Sequence, residues 1–330
     1  MLKPAYKLTI GSKVIDTTDE PQASTLTDLM VSLDMDTPAD SLALRLGNVD
    51  GLKPELGDKS SIELGYEDNG GLEKVMTGSV VSVKTGLTIT RVIVHSPASL
   101  LLHAFTDKTY EGRSAGEMVR DLAEKAGVDI EKADDGIAFP AYVVDGRRNF
   151  YQHMRDLADL SGLDLYINPE GKVVFEKFIS GKKIHVFEYG KHIIELEVLK
   201  SNPQAEKVEA WGESPGGGKA AEAWSWLTKD FSKSKGVSGS GDGKVLIEQP
   251  VIRTSKAAGT VAEAARIRIQ EQAVKGRLLL QGQPQVRLGD AIRLVGVQGM
   301  EKPLQVRNVA HRIAKSGGFT TTVGFRAIEA

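Results

Sequence analysis

The sequence has no cysteine among its 330 residues. This excludes a disulfide scaffold, a thiolate zinc site and a cysteine nucleophile. It does not fix a compartment, because a protein assembled in the cytoplasm and used outside cells also works without thiols. Long apolar runs are missing too: none approaches the ~20 residues that a membrane-spanning helix needs. The first ten residues carry Lys3, Pro4 and Lys7 without an apolar core, so they do not form a signal peptide. No sign of charge dominates. The 42 Lys and Arg residues stand against 44 Asp and Glu, a net charge of −2. A dedicated nucleic-acid binder normally shows a basic excess. Neither membrane insertion by this chain nor specific nucleic-acid binding is therefore expected.

Catalytic signatures are equally sparse. The six histidines are His95, His103, His153, His185, His192 and His311, and no two form a helix-spaced metal pair. His185 and His192 bracket a turn and read as ordinary surface or edge-strand residues. Gly216-Gly217-Gly218-Lys219 has the look of a phosphate loop. However, Glu213 stands where the first glycine must be, and Ala220 where a Ser or Thr must hold magnesium. Gly239-Ser240-Gly241-Asp242-Gly243 lacks the strand-turn-helix setting of a dinucleotide loop. No serine lies in a nucleophile elbow. Acidic residues are plentiful, so counting alone does not exclude a glycosidase carboxylate pair. No catalytic residue, cofactor or metal site is assigned. Trp224 and Trp226 are the candidate partner contacts, with ring packing at a loop base as the alternative.

What is present is a chain 41% hydrophobic and long enough for two or three domains with sizeable cores. Its first part reads as β. Tyr6, Leu8 and Ile10 alternate with polar neighbours, as do Ile62, Leu64 and Tyr66. Strands over Thr77 to Lys84 and Leu87 to His95 surround Thr85-Gly86. This spacing predicts a small barrel or sandwich. The middle is α+β. Ser114 and Glu117 form a capping box, Met118, Leu122 and Ala126 follow at helical spacing, and Gly127 stops the helix. A second helix over Asn149 to Ser161 presents Phe150, Met154, Leu157 and Ala158 on one face and ends at Gly162. Two strands follow, around Asn168-Pro169-Glu170-Gly171. The last part returns to β. It is interrupted by a Gly-, Ser-, Lys- and Ala-rich stretch from Glu213 to Lys244, which reads as a mobile excursion. An Ala-rich helix over 257–273 comes after it.

A weak repeat joins the two ends. Leu56-Gly57-Asp58 precedes Ile62 and Leu64, and Leu288-Gly289-Asp290 precedes Ile292 and Leu294. Each copy is followed by a two-strand pattern, Val80 to His95 around Gly86 and Val306 to Phe325 around Gly317-Gly318. One Gly-Asp turn means little, but two with similar sequels predict related β-domains flanking an α+β insert.

The order of these features resembles the phage late control protein D group, the baseplate hubs of contractile tails, related to the N-terminal hub portion of type VI secretion VgrG spike proteins. Three stretches carry the likeness: Arg147 to Ile167 with Gly171 to Phe175; Ala262 to Arg266 through Gly282-Gln283-Pro284 to Leu288-Gly289-Asp290; and the paired terminal β-domains. The motifs are packing patterns rather than catalytic signatures. The resemblance implies a mainly β chain with two tube-like β-barrel domains flanking a smaller α+β region. The first barrel would span 1–95, the α+β domain 96–190 and the second barrel 191–330. It implies a non-enzymatic homotrimer binding the inner tube protein on one side, a spike on the other, and further baseplate subunits. The spike would be a separate protein, since little sequence follows the second barrel. Such a subunit would assemble in the cytoplasm into a virion tail or phage-like particle. Two rival functions are a tail-associated cell-wall hydrolase and a carbohydrate-binding adhesion module using Trp224 and Trp226.

Overall fold

The computed structural model describes residues 3–18, 26–47, 53–67, 71–212, 235–315 and 317–328. The N-terminal part contributes β1 (Pro4–Ile10), β2 (Lys13–Asp16), β3 (Leu26–Asp34), β4 (Ser41–Gly47), β5 (Lys59–Tyr66), β6 (Gly71–Thr85) and β7 (Ile89–His95). The middle holds α1 (Ala98–Leu102), β8 (Lys108–Ser114), α2 (Ala115–Ala126), β9 (Ile130–Ala133), β10 (Ala138–Val144), α3 (Phe150–Ser161), β11 (Asp164–Ile167) and β12 (Val173–Glu176). The remainder holds β13 (Ile184–Glu188), β14 (Ile193–Lys200), β15 (Lys207–Trp211), β16 (Gly236–Gly239), β17 (Lys244–Glu248), α4 (Ser255–Gln272), β18 (Val274–Gln281), β19 (Ala291–Val295), β20 (Leu304–Ala314) and β21 (Gly318–Ala327). The chain is mainly β with an α+β region, as expected.

The two predicted helix starts form as their sequences dictate. The Ser114 side chain accepts from the Glu117 N–H, and the Glu117 carboxylate accepts from the Ser114 N–H. Asn149 and Gln152 repeat this exchange at α3. Each pair satisfies two of the helix's orphan donors. Gly127 and Gly162 then end the helices in the left-handed region, at φ 71° and 68°, where a side chain would be strained. Helix α4 begins two residues earlier than expected, at Ser255, with Thr254 as its cap.

Thirteen strands form one sheet, in the order β14-β18-β21-β20-β3-β4-β7-β6-β5-β1-β2, with β19 beside β20 and β13 beside β19. This order contains the same path twice. The N-terminal unit runs β1-β5-β6-β7-β4-β3, and the C-terminal unit β13-β19-β20-β21-β18-β14. The register repeats as well. The β3/β4 ladder has an irregularity between Leu26 and Asp28, and β14/β18 has one between Ile193 and Glu195. The β6/β7 pair shifts between Val80 and Ser82, and β20/β21 between Val306 and Asn308. The units also depart from one another: β1 is antiparallel to β5 and is extended by β2, whereas β13 is parallel to β19, and the β5/β6 ladder is longer than β19/β20 and shifts between Ile62 and Glu63.

Inward side chains of both units, including Leu8, Leu44, Ile62, Leu278, Ile292 and Val323, share one apolar core. Among the described residues no hydrogen-bonded seam closes either unit into a barrel on its own. Among the described residues β3 turns instead to β20, joining the two units.

A second core lies under α2 and α3. It includes Met118, Leu122, Phe139, Met154, Leu157 and Phe175. It also draws in Val208 and Ala210 of β15 and Ala258, Val261 and Ala262 of α4. Thus β15 and α4, placed by sequence with the second barrel, pack with the α+β elements. The excursion is also shorter than expected. Of 213–244, residues 213–234 lie outside the described residues, but β16 pairs with β15 over Lys207↔Gly239 to Ala210↔Gly236.

Candidate assembly surface

The duplicated turns show how the two units are built alike. In the first, the Glu55 N–H donates to the Asp58 carboxylate at 2.9 Å. The Asp58 N–H donates to the Glu55 carbonyl, the Gly57 N–H to the Val80 carbonyl, and the Val80 N–H to the Asp58 carbonyl. In the second, Arg287, Gly289, Asp290 and Val306 make the same four bonds, with Arg287 to Asp290 at 3.0 Å. Gly57 and Gly289 both have positive φ, 89° and 78°. A glycine there lets the chain reverse while aspartate ties down the turn's free donors.

One part of the sequence match is corrected by the register. Lys59 faces Ser79 and Ala291 faces Gln305, each just beyond the equivalent turn. Ser60 therefore stands where Ile292 stands, and Ile62 where Leu294 stands. The alignment of Ile62 and Leu64 with Ile292 and Leu294 is two residues out. The error was invisible because strand side chains repeat their face every two residues.

The turns differ in setting. Leu56 is exposed, whereas Leu288 is buried. A Cβ on Gly57 would meet nothing, but one on Gly289 would come within 2.9 Å of the Tyr166 hydroxyl. Asp290 also accepts from His185 Nε2 at 2.8 Å. Trp224 and Trp226 lie outside the described residues. Among the described residues no group of three or more His, Asp or Glu side chains is arranged to hold a metal ion.

A charged seam, not foreseen from sequence, fastens the sheet to the α+β core. Arg307 is the extra residue at the β20 irregularity, and its guanidinium reaches Asp164 of β11 at 2.5 Å and Asp36 at 2.6 Å. Gln305 donates to the same Asp164, and Arg326 reaches Glu271 of α4 at 3.0 Å. Arg155 of α3 pairs with Asp36 and Asp159, and Arg268 of α4 also with Asp159. Burial works against ionisation of Asp36, but Arg307 and Arg155 outweigh it and hold its pKa below the usual value. Burial raises the pKa of Glu271, with Arg326 opposing. The only sequence signal was an Arg at the alternation break in β20, and isolated charges do not announce their partners.

The sheet face opposite the core is rich in charge, with a few exposed apolar residues such as Met30 and Leu199 among the charges. Directly paired residues place Asp28, Arg45, Arg91 and Lys84 in one row across β3, β4, β7 and β6. Arg312 of β20 reaches Asp28 at 3.1 Å. On the C-terminal unit the same face carries Glu195 and Glu197 of β14 and Lys275 and Arg277 of β18. Glu197, Leu199, Lys275 and Arg277 line a cleft of about 540 Å³ together with Arg155 of α3 and Arg268 of α4. Such a face suits a wetted channel or a partner surface rather than a further core.

No protein-family model matches the chain, and no curated protein matches it in sequence. Its fold is found in solved structures. The 43 kDa tail protein of prophage MuSo2 from Shewanella oneidensis superposes with a TM-score of 0.72 at 12% identity. That match covers 97% of this chain and 98% of the other. A tail protein from Neisseria meningitidis MC58 gives 0.72 at 14% identity, with 98% and 97% covered. The E. coli c3393 protein is a type VI secretion component described as structurally similar to T4 tail proteins gp27 and gp5. It gives 0.63 at 11% identity, with 98% and 77% covered. Nearly the whole chain thus has the fold of these phage tail and type VI secretion proteins, the fold that the baseplate-hub resemblance implied.

Proposed function

We propose that this chain is a structural baseplate hub of a contractile injection machine, a homotrimeric adapter between a hexameric inner tube and a threefold spike. The observation that carries the reading is the internal repeat. Two units with one strand order, matching irregularities and turns that agree bond for bond offer six similar units in a ring of three copies. A threefold object can then meet a sixfold one. The charged part of this sheet face that lies away from α3 and α4 would line the channel, with the helices outside. On this reading the chain divides by its two cores, with both barrel-like units in one sheet and α2, α3, α4 and β15 to β17 in the α+β body. Assembly would take place in the cytoplasm before incorporation into a tail.

The test is co-assembly with the tube protein of the same gene cluster. Mass measurement should give three copies, and electron microscopy should show a ring capping the tube. A chain that stays monomeric beside assembled tubes, or forms rings of another order, would rule the reading out.

A further inference from the structure

The internal repeat leaves one half of a junction unmade. Inside the chain, β3 pairs with the second half of β20, from Asn308↔Asp34 to Ala314↔Asp28. The equivalent of β20 is β6, and the equivalent of β3 is β14. The corresponding stretch of β6, Ser82 to Thr85, pairs with β7 on one side and has no strand on the other among the described residues. Likewise, among the described residues, β14 pairs with β18 alone beyond an isolated bridge from Tyr189 to its first residue, Ile193. Two open edges therefore stand at the positions that β20 and β3 use to join the units.

We infer that β14 of one copy pairs antiparallel with β6 of the next copy, repeating the β3–β20 junction between chains. The occupant of each open edge is a second copy of this chain. The inference rests on the ring proposed above and specifies its contact. The register follows from the internal one: Ser82 opposite Ser201, Val83 opposite Lys200, Lys84 opposite Leu199, and Thr85 opposite Val198.

Charge supports this occupant. Lys84, Arg91 and Arg45 lie side by side in one cross-strand row, and like charges directly opposite one another are destabilising. Asp28 relieves the row at its β3 end. Its β6 end faces the open edge. In the inferred register Glu197 of the next copy lies diagonal to Lys84 on the same face, within reach of a long side chain. Exposed apolar residues mark both edges: Val81 on β6 and Leu87 just after it, and Ile194 and Leu199 on β14. Unprotected edges of this kind invite strand addition. The contact is heterologous, one patch against a different one, so it generates a closed ring when the rotation closes.

The full chain has no cysteine, so every introduced thiol reports only its own position. Oxidation of a Lys84→Cys, Leu199→Cys double variant should give an intermolecular disulfide and a ladder that ends at the ring. Opposed strand residues lie within the separation that a disulfide spans. Ser32→Cys with Ala310→Cys, the same pair within one chain, is the positive control. Lys84→Cys with Lys200→Cys should not cross-link, because Lys200 points to the other face. Lys84→Glu should weaken association about fivefold at low salt without lowering monomer stability, and Glu197→Lys in the same chain should restore it. Rings that form by mass without the Lys84–Leu199 cross-link would overturn this pairing and leave the hub reading standing. Cross-linked rings that never bind tube would do the reverse. A chain that stays monomeric throughout overturns both.

Discussion

Asp40, between β3 and β4, is buried, and its carboxylate accepts from the Asp34 N–H at 2.9 Å. Burial dominates and pushes its pKa up to about 7. An acid whose folded pKa lies above its unfolded value holds extra protons when folded. Its contribution is therefore full below about pH 4 and declines as pH rises towards 7. Asp40→Asn keeps the acceptor and removes the charge. It should match the parent at pH 4 and exceed it by about 2–4 kcal/mol at pH 8 in urea unfolding. His311 acts in the opposite sense. Burial lowers its pKa to about 3, so it favours the fold above its unfolded pKa and loses that contribution as pH falls towards 3. The two turn glycines test local strain. Gly57→Ala should cost about 1–2 kcal/mol for its positive φ alone. Gly289→Ala should cost more, because the Tyr166 hydroxyl blocks the new methyl. Both glycines were legible in sequence as turn residues, but the burial of Asp40 and His311 was not. A residue's neighbours across a sheet are set by pairing, which the linear sequence does not display.

At the scale of elements, helices were the most readable. Caps, period and stop residues lie within one short stretch for each helix, Ser114 to Gly127 for α2 and Asn149 to Gly162 for α3. Leu157 is fully buried on α3, and Leu157→Ala should cost roughly 2–5 kcal/mol, measured by chemical denaturation. The short α1 and the strands β8, β9 and β10 were missed, because brief elements carry too few periods to stand out. The grouping of elements was missed in part as well. Helix α4 is distant in sequence from α3 yet supplies Ala258, Val261 and Ala262 to the same core. A fragment of residues 96–190 alone would leave that apolar face uncovered. It should be less soluble than a version fused to residues 205–272 and show a broader thermal transition.

For the whole molecule, the repeat was visible as two Gly-Asp turns, while the junction it builds was not. Pairing of β3 with β20 spans most of the chain, and no local pattern encodes such a contact. The same holds for the seam that ties the sheet to the α+β body. Arg307 and Asp164 are both nearly buried, and removing one partner of such a pair leaves an uncompensated charge. Arg307→Ala should cost about 3 kcal/mol. Replacing both, Arg307→Leu with Asp164→Leu, should cost less than the single change, because the paired charges leave together while Asp36 keeps Arg155 and Arg326 keeps Glu271; the Gln305 amide, which loses its acceptor, limits the recovery. The loss should also be unevenly felt. The two apolar cores are distinct, and the charged seam is a principal link between them. Calorimetry of the Arg307 variant should then resolve two transitions where the parent shows one. A single cooperative transition in both would mean that apolar contacts between the bodies, rather than the seam, make the molecule unfold as a unit.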